Sequence, residues 1–272
     1  MTHGREDVDQ ENLARCANVR RNIISAIATS GSGHPGGSLS CVEILVTLFF
    51  SVMEKRAERS TWPYKDRFVL SKGHADAAYY SILCEAGLIS HEELVTMRTF
   101  GSRLQGHPDP LWLPELVEFA GGPLGQGLSF ATGLSLGRPD DNVFALLGDG
   151  ELQEGQVWEA VLSAPRLGAN NLTAIIDWNG FQLSGPTPEN PSIESMAASW
   201  ASLGWQAEVM DGHDLRNLRL SISGGSDRPR VFFARTTKGR GVSFMENNND
   251  FHGRELTTRE SLDALNELGW VT

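Results

Sequence analysis

Three short stretches of the chain are apolar at nearly every position: Arg67 to Leu70, Asn142 to Leu147 and Leu172 to Asp177. Runs of this length without period-2 alternation read as strands buried on both faces. Trp205 to Met210 and Arg230 to Arg235 read as two more. Helical patterns lie between and around them. Glu11 to Thr29 is an amphipathic helix that ends at the breaker Gly31-Ser32-Gly33-His34-Pro35-Gly36-Gly37. Ser40 reads as the N-cap of an apolar helix running to about Met53. Further helices are expected over Ala75 to Ala86, within the glycine-rich stretch Gly121 to Gly137, over Glu154 to Leu167, between the last two strands, and over Thr258 to Gly269. Strands alternating with helices predict an α/β fold with a mostly parallel central sheet and helices on both faces. In such sheets ligands bind at the carboxyl ends of the strands. No linker-like segment interrupts the pattern, so residues 1–272 are read as a single domain.

Composition narrows the classes. Hydrophobic residues make up 40% of 272 positions, enough for a large core, and the net charge is −11. An acidic chain of this kind is a poor match for nucleic acid, which calls for clustered Lys and Arg. Cys16, Cys41 and Cys84 are odd in number and widely spaced, with no CxxC pair, so neither a disulfide framework nor a zinc site is expected. The polar, acidic stretch Met1 to Asn12 does not resemble a signal peptide, and the longest apolar run, Cys41 to Met53, contains Glu43 and is too short to span a bilayer. A soluble cytoplasmic protein with no membrane contact is the expectation.

The chemistry concentrates where apolar strands end. Gly148-Asp149-Gly150-Glu151 closes one strand, and Asp177-Trp178-Asn179-Gly180 closes the next, with Asn179 thirty residues after Asp149. Neighbouring strands would set a carboxylate and a carboxamide oxygen side by side, a donor pair suited to Mg²⁺ with phosphate oxygens completing its shell. Gly148 and Gly150 permit close backbone approach, and the helix starting near Glu154 directs amides toward anionic oxygen. Four of the seven histidines sit beside Gly or Pro in loops: His34, His74, His107 and His252. A single loop histidine is ordinarily a solvated surface residue, whereas four at such positions suggest a crowded polar pocket. His3, His91 and His213 lack that setting and are read as surface residues. Gly121-Gly122-Pro123-Leu124-Gly125-Gln126-Gly127 can hug a flat ligand, with Leu124 as an apolar wall. Glu151, Glu154 and Glu159 are read as solvated helix residues.

Taken in order, SGHPGGSLS (32–40), DRFVLSKGHADAAYY (66–80), GHPD (106–109), GPLGQGLSFATGLSLG (122–137), GDGELQEGQVWEA (148–160), DWNGFQLSG (177–185), RTTKGRGVSFME (235–246) and FHG (251–253) resemble the N-terminal part of the transketolase family. The resemblance runs from about residue 12 to 254. It implies the diphosphate-binding domain of the thiamine diphosphate-binding fold, with Mg²⁺ (or Ca²⁺ or Mn²⁺ in its place) held by Asp149, Asn179 and the carbonyl of Phe181. It further implies that His74, Gly150 and Asn179 hold the diphosphate and that Gly122 and Leu124 line the ring-binding region. His34, His107 and His252 would surround the reactive carbon, with His252 also touching cofactor and His74 close to the chemistry. Glu154 and Glu159 match acidic residues at the family's dimer interface, and Glu154 borders the cofactor site. Gly121 stands where relatives usually carry Thr.

The resemblance stops near residue 254. The family's pyrimidine-binding domain, with the glutamate that activates the cofactor, and its third domain have no counterpart here. These are expected on a separate transketolase C-terminal subunit, in an α₂β₂ heterotetramer acting on small sugar substrates. Ketol transfer from a ketose donor to an aldehyde acceptor is the implied reaction. Three rivals remain: an α-subunit of a 2-oxo acid dehydrogenase, a deoxyxylulose-phosphate synthase relative, and a non-catalytic scaffold. The first explains neither the four loop histidines nor GHPD and GPLGQG. The second normally keeps all domains in one chain. Retention of Asp149, Asn179 and His74 together argues against the third. A two-chain enzyme of a specialised pathway, even one with a non-sugar acceptor, is also compatible with these motifs.

Overall fold

The computed structural model describes residues 3–55 and 62–269, with side-chain surroundings from residue 8 onward in the first helix. The surface reading of the His3 side chain therefore lies outside the described residues. In chain order the helices are α1 (His3–Ser30), α2 (Pro35–Ser40), α3 (Val42–Thr47), α4 (Asp76–Glu85), α5 (His91–Leu94), α6 (Gly127–Gly137), α7 (Gly155–Leu167), α8 (Ile193–Ser202), α9 (Leu215–Ile222) and α10 (Thr258–Glu267). The strands are β1 (Arg67–Leu70), β2 (Val143–Gly148), β3 (Leu172–Trp178), β4 (Phe181–Gln182), β5 (Gly185–Pro186), β6 (Gln206–Asp211) and β7 (Arg230–Arg235). Every strand expected from the apolar runs is present, within a residue or so at each end.

Five strands form one sheet in the order β1-β2-β3-β7-β6, all pairs parallel, and β4 with β5 makes a small antiparallel hairpin beside it. Successive strand residues serve opposite faces. Phe144, Leu146, Ile175 and Phe232 join a core with α1, α3, α4 and α9, whereas Val143, Ala145, Leu147, Ile176 and Phe233 join a second core with α6, α7 and α8. That is why β2, β3 and β7 carry no polar alternation, both faces being covered, whereas the edge strand β6 alternates and leaves Gln206, Glu208 and Asp211 toward solvent. The register pairs Gly148 with Asp177 and Asp177 with Ala234, so the chain leaves β2, β3 and β7 at one shared edge.

Two local expectations are corrected. Residues 31–37 are not breaker throughout, because Pro35 opens α2, a position where its missing N–H costs nothing. Ser40 consequently ends α2 instead of capping the next helix. Its hydroxyl donates to the Gly37 carbonyl (3.0 Å) and to the Asp177 carboxylate (2.5 Å). The apolar helix to Met53 is also interrupted, passing at Leu48–Val52 into a wider π turn.

Glycines dock the loop before α6 onto the end of β1. A Cβ on Gly73 would lie 2.1 Å from the Gly121 carbonyl oxygen, and one on Gly121 would lie 2.5 Å from the Leu70 carbonyl oxygen. Backbone against backbone leaves no room for Thr, the residue the resemblance places at 121. Gly121→Ala is expected to destabilise the protein by about 1–3 kcal/mol through overpacking, read as a lowered urea midpoint; an unchanged midpoint would show that this contact is not tight.

Candidate functional site

The shared sheet edge opens into a cleft of about 560 Å³. Eleven of the residues singled out in the sequence line it: His34, His74, His107, Gly122, Leu124, Asp149, Gly150, Glu154, Asn179, Phe181 and His252; Glu159 does not. They come from seven separate parts of the chain, and the parallel sheet brings them together.

Asp149, at the end of β2, is 5% exposed, and Asn179, just past β3, is 8% exposed. Their proximity is fixed by the backbone: the Asp149 carboxylate accepts the N–H of Gly180 (2.6 Å) and of Gly150 (2.9 Å). Gly180 has φ 79, so the chain can reverse there and enter the β4–β5 hairpin, which passes over Gly150. The Asn179 carboxamide oxygen accepts only the Phe181 N–H (3.1 Å), and its NH₂ points back to Ser40 and Asp177. Burial and the neighbouring Asp177 push the Asp149 carboxyl up to about 7. Among the described residues no Lys or Arg pairs with it. A buried carboxylate without its own cation, beside a carboxamide oxygen, is a donor set for a hard divalent ion whose remaining ligands are phosphate oxygens. The site fits Mg²⁺ on those grounds. Among the described residues no group of three or more His, Cys, Asp or Glu is placed so that it could hold a metal ion.

Behind this pair lies an ion pair that sequence reading missed. Lys72 and Asp177 are 1% and 0% exposed at the side chain and in direct contact. Burial alone would neutralise Lys72, but the Asp177 carboxylate holds its pKa above the ordinary lysine value; burial would likewise raise Asp177, but Lys72 draws it down. Asp177 also accepts from Ser40 and from Thr236, and Lys72 donates to the Gly37 carbonyl (2.9 Å). One carboxylate therefore ties together α2, the ends of β1 and β3, and the segment after β7. The available signal was an ionisable residue closing an otherwise apolar strand.

Glu151 is a correction: it is 2% exposed, not solvated. It accepts from the Ser71 hydroxyl, from Gly125 N–H (2.8 Å) and from Gly148 N–H (3.1 Å), and so holds the 121–127 loop against β2. Glu154 and Glu159 are exposed as expected. Gly125, at φ 86, lies directly on Glu154.

The histidines form a cluster. The ring centroids of His34, His74 and His252 are 5.5, 5.7 and 6.0 Å apart, and His107 reaches the same cleft from the 106–109 loop. Burial, with Arg98 beside it, lowers His34 to about 4, and burial with Lys238 lowers His252 to about 4. His74 and His107 are lowered too, chiefly by burial. At neutral pH all four are uncharged, able to donate or accept a proton at fixed atoms without adding charge. Lys238 Nζ sits 2.8 Å from His252 Nδ1 and 2.7 Å from Asn249, and burial with nearby Lys72 lowers it to about 8. His213 is another correction. It is mostly buried, bonding Glu43 (3.0 Å) through Nδ1 and accepting Thr237 N–H (2.9 Å) at Nε2. His91 is exposed, as expected.

Removing one member of the buried pair should be costly. Lys72→Met is expected to lower stability by about 3–5 kcal/mol, because Asp177 is left buried without a counter-charge; a loss below about 1 kcal/mol in urea denaturation would show that the pair does not strap the site.

Comparisons with known proteins bear on the family and the fold. Residues 12–272 match the family model described as transketolase, thiamine diphosphate binding domain. The chain is 36% identical to human transketolase over 255 residues, covering 92% of this chain and 41% of that protein. It thus spans less than half of that relative. It is 36% identical to an apulose-4-phosphate transketolase subunit from Phocaeicola vulgatus, covering 92% of this chain and 90% of that one. It is 34% identical to the 6-deoxy-6-sulfo-D-fructose transketolase subunit SqwG of a Clostridium species, covering 95% and 97%. Among solved structures, transketolase from Leishmania mexicana superimposes with a TM-score of 0.84 at 28% identity, covering 94% of this chain and 41% of that chain. With the sheet edge, the histidine cluster and these likenesses together, the chain belongs to the transketolase N-terminal family, the thiamine diphosphate binding domain of transketolase.

Proposed function

We propose that this chain is the diphosphate-holding subunit of a two-component transketolase, which moves a two-carbon ketol unit from a ketose donor to an aldehyde acceptor. The observation that carries the reading is coverage. The chain matches two named transketolase subunits over at least 90% of their length, but single-chain transketolase over only 41%. Residues 1–272 then form one domain, and the pyrimidine-binding domain, its catalytic glutamate and the C-terminal domain belong to a partner subunit in an α₂β₂ assembly in the cytoplasm. Among the described residues no helix is long and apolar enough to cross a membrane.

In this reading Asp149, the Asn179 side chain and the Phe181 carbonyl hold Mg²⁺. His74, Gly150 and Asn179 hold the diphosphate, with His252 near it. Gly122 and Leu124 border the rings, and Glu154 faces the partner beside the cofactor. When bound, thiamine diphosphate supplies the electron sink for breaking and remaking a carbon–carbon bond next to a carbonyl. The chain's own contribution is placement. His34, His107 and His252, all neutral, bond the donor's hydroxyls and carry protons between oxygen atoms during bond cleavage. The buried cleft limits competing reaction with water. A specialised ketose derivative is favoured as substrate over a central-metabolism sugar phosphate, because both two-chain relatives are named for such sugars.

The chain alone, supplied with thiamine diphosphate and Mg²⁺, is expected to transfer no ketol unit from a ketose phosphate to an aldehyde, with activity appearing when a transketolase C-terminal subunit is added. Robust turnover by the chain alone would overturn the two-component reading.

A further inference from the structure

Arg98 adopts φ 60, one of two non-glycine residues with positive φ among the described residues. An L-residue in the left-handed region carries a conformational cost, which neighbouring contacts must offset. Here the contacts converge on the guanidinium. Nε and Nη2 bind the wholly buried Asp76, at the start of α4, at 2.8 and 3.0 Å. Nη1 donates to the Ser32 hydroxyl at 3.1 Å. Nη2 also reaches the Gly106 carbonyl at 2.9 Å and His34 Nδ1 at 3.1 Å, its two protons being shared among three acceptors. One side chain therefore joins the loop of His34, the loop of His107 and the helix behind them.

An arginine has donors only. The nitrogen of His34 that faces it must present a lone pair, which leaves the proton on Nε2. That atom lies near Gly253, where an added Cβ would stand 3.0 Å from it, and His34 lines the cleft. We propose that Arg98 is a positioning residue that locks His34 in the Nε2–H tautomer and ties the His107 loop to the same guanidinium, so that both imidazoles meet the ketose in a fixed donor arrangement. The substrate in that statement rests on the proposed function; the tautomer lock does not.

The test is a long-range ¹H–¹⁵N correlation spectrum of the full ¹⁵N-labelled chain at neutral pH, with the His34 signals assigned by their loss in His34→Gln. The wild type is expected to show Nδ1 as the unprotonated, pyridine-type nitrogen and Nε2 as the protonated one. Arg98→Asn keeps a residue that tolerates positive φ and removes the guanidinium, and is expected to replace the single-tautomer pattern by an averaged one. A merely structural arginine would lower the melting temperature of Arg98→Asn and leave the His34 pattern intact, which would overturn the proposal. Arg98→Gly serves as the second variant should the first not fold. In the wild type itself, a protonated Nδ1 would overturn the proposal without any variant. None of these signals requires ketol transfer, so failure of the lock and failure of the proposed reaction are read separately.

Discussion

The buried contact between Lys72 and Asp177 is what the site depends on. Both side chains are almost wholly withdrawn from water, and each is kept charged by the other. Because Asp177 also takes hydroxyl bonds from Ser40 and Thr236, four chain segments meet at one carboxylate. A pair of this kind is weak evidence for stability by itself, but it imposes geometry: any shift of one segment exposes a buried charge. Its second effect is electrostatic. Lys72 is in direct contact with Asp177, so among the described residues the neighbouring Asp149 has no ion-pair partner of its own, and burial beside Asp177 pushes its carboxyl up to about 7.

That division of labour explains the cleft. One carboxylate is satisfied internally and holds the architecture, while the other is left short and supports the reading of a metal-bound diphosphate. Around it the four histidines are held neutral by burial and by cations placed behind them, Arg98 at His34 and Lys238 at His252. At His34, the guanidinium at Nδ1 fixes which ring nitrogen carries the proton. The open side of the cleft, with exposed Leu124 and Glu154, is consistent with a partner subunit completing it.

Much of this was legible in the sequence. Fully apolar runs gave the strands because both sheet faces are covered, and the glycine-flanked Asp149 and Asn179 stood out because strand ends in a parallel sheet face ligands. What escaped was decided by tertiary contact. Glu151 looks like any helix-start glutamate until the 121–127 loop folds over it, and His213 looks solvated until Glu43 on α3 reaches it. Ser40 has the composition of a helix cap, but its hydroxyl is claimed by Asp177, 137 residues away. Arg98 sits in a loop with no local pattern, and its positive φ and converging contacts, invisible in sequence, mark it.

The central claim is that Asp149 and Asn179 jointly grip a diphosphate through a divalent cation. Calorimetric titration of thiamine diphosphate into the chain with its partner subunit, with Mg²⁺ and then with chelator, tests it most directly. The account predicts binding that requires the cation and is abolished in Asp149→Ala while circular dichroism shows the fold retained. Binding that persists without a divalent ion, or at wild-type affinity in the variant, would contradict it.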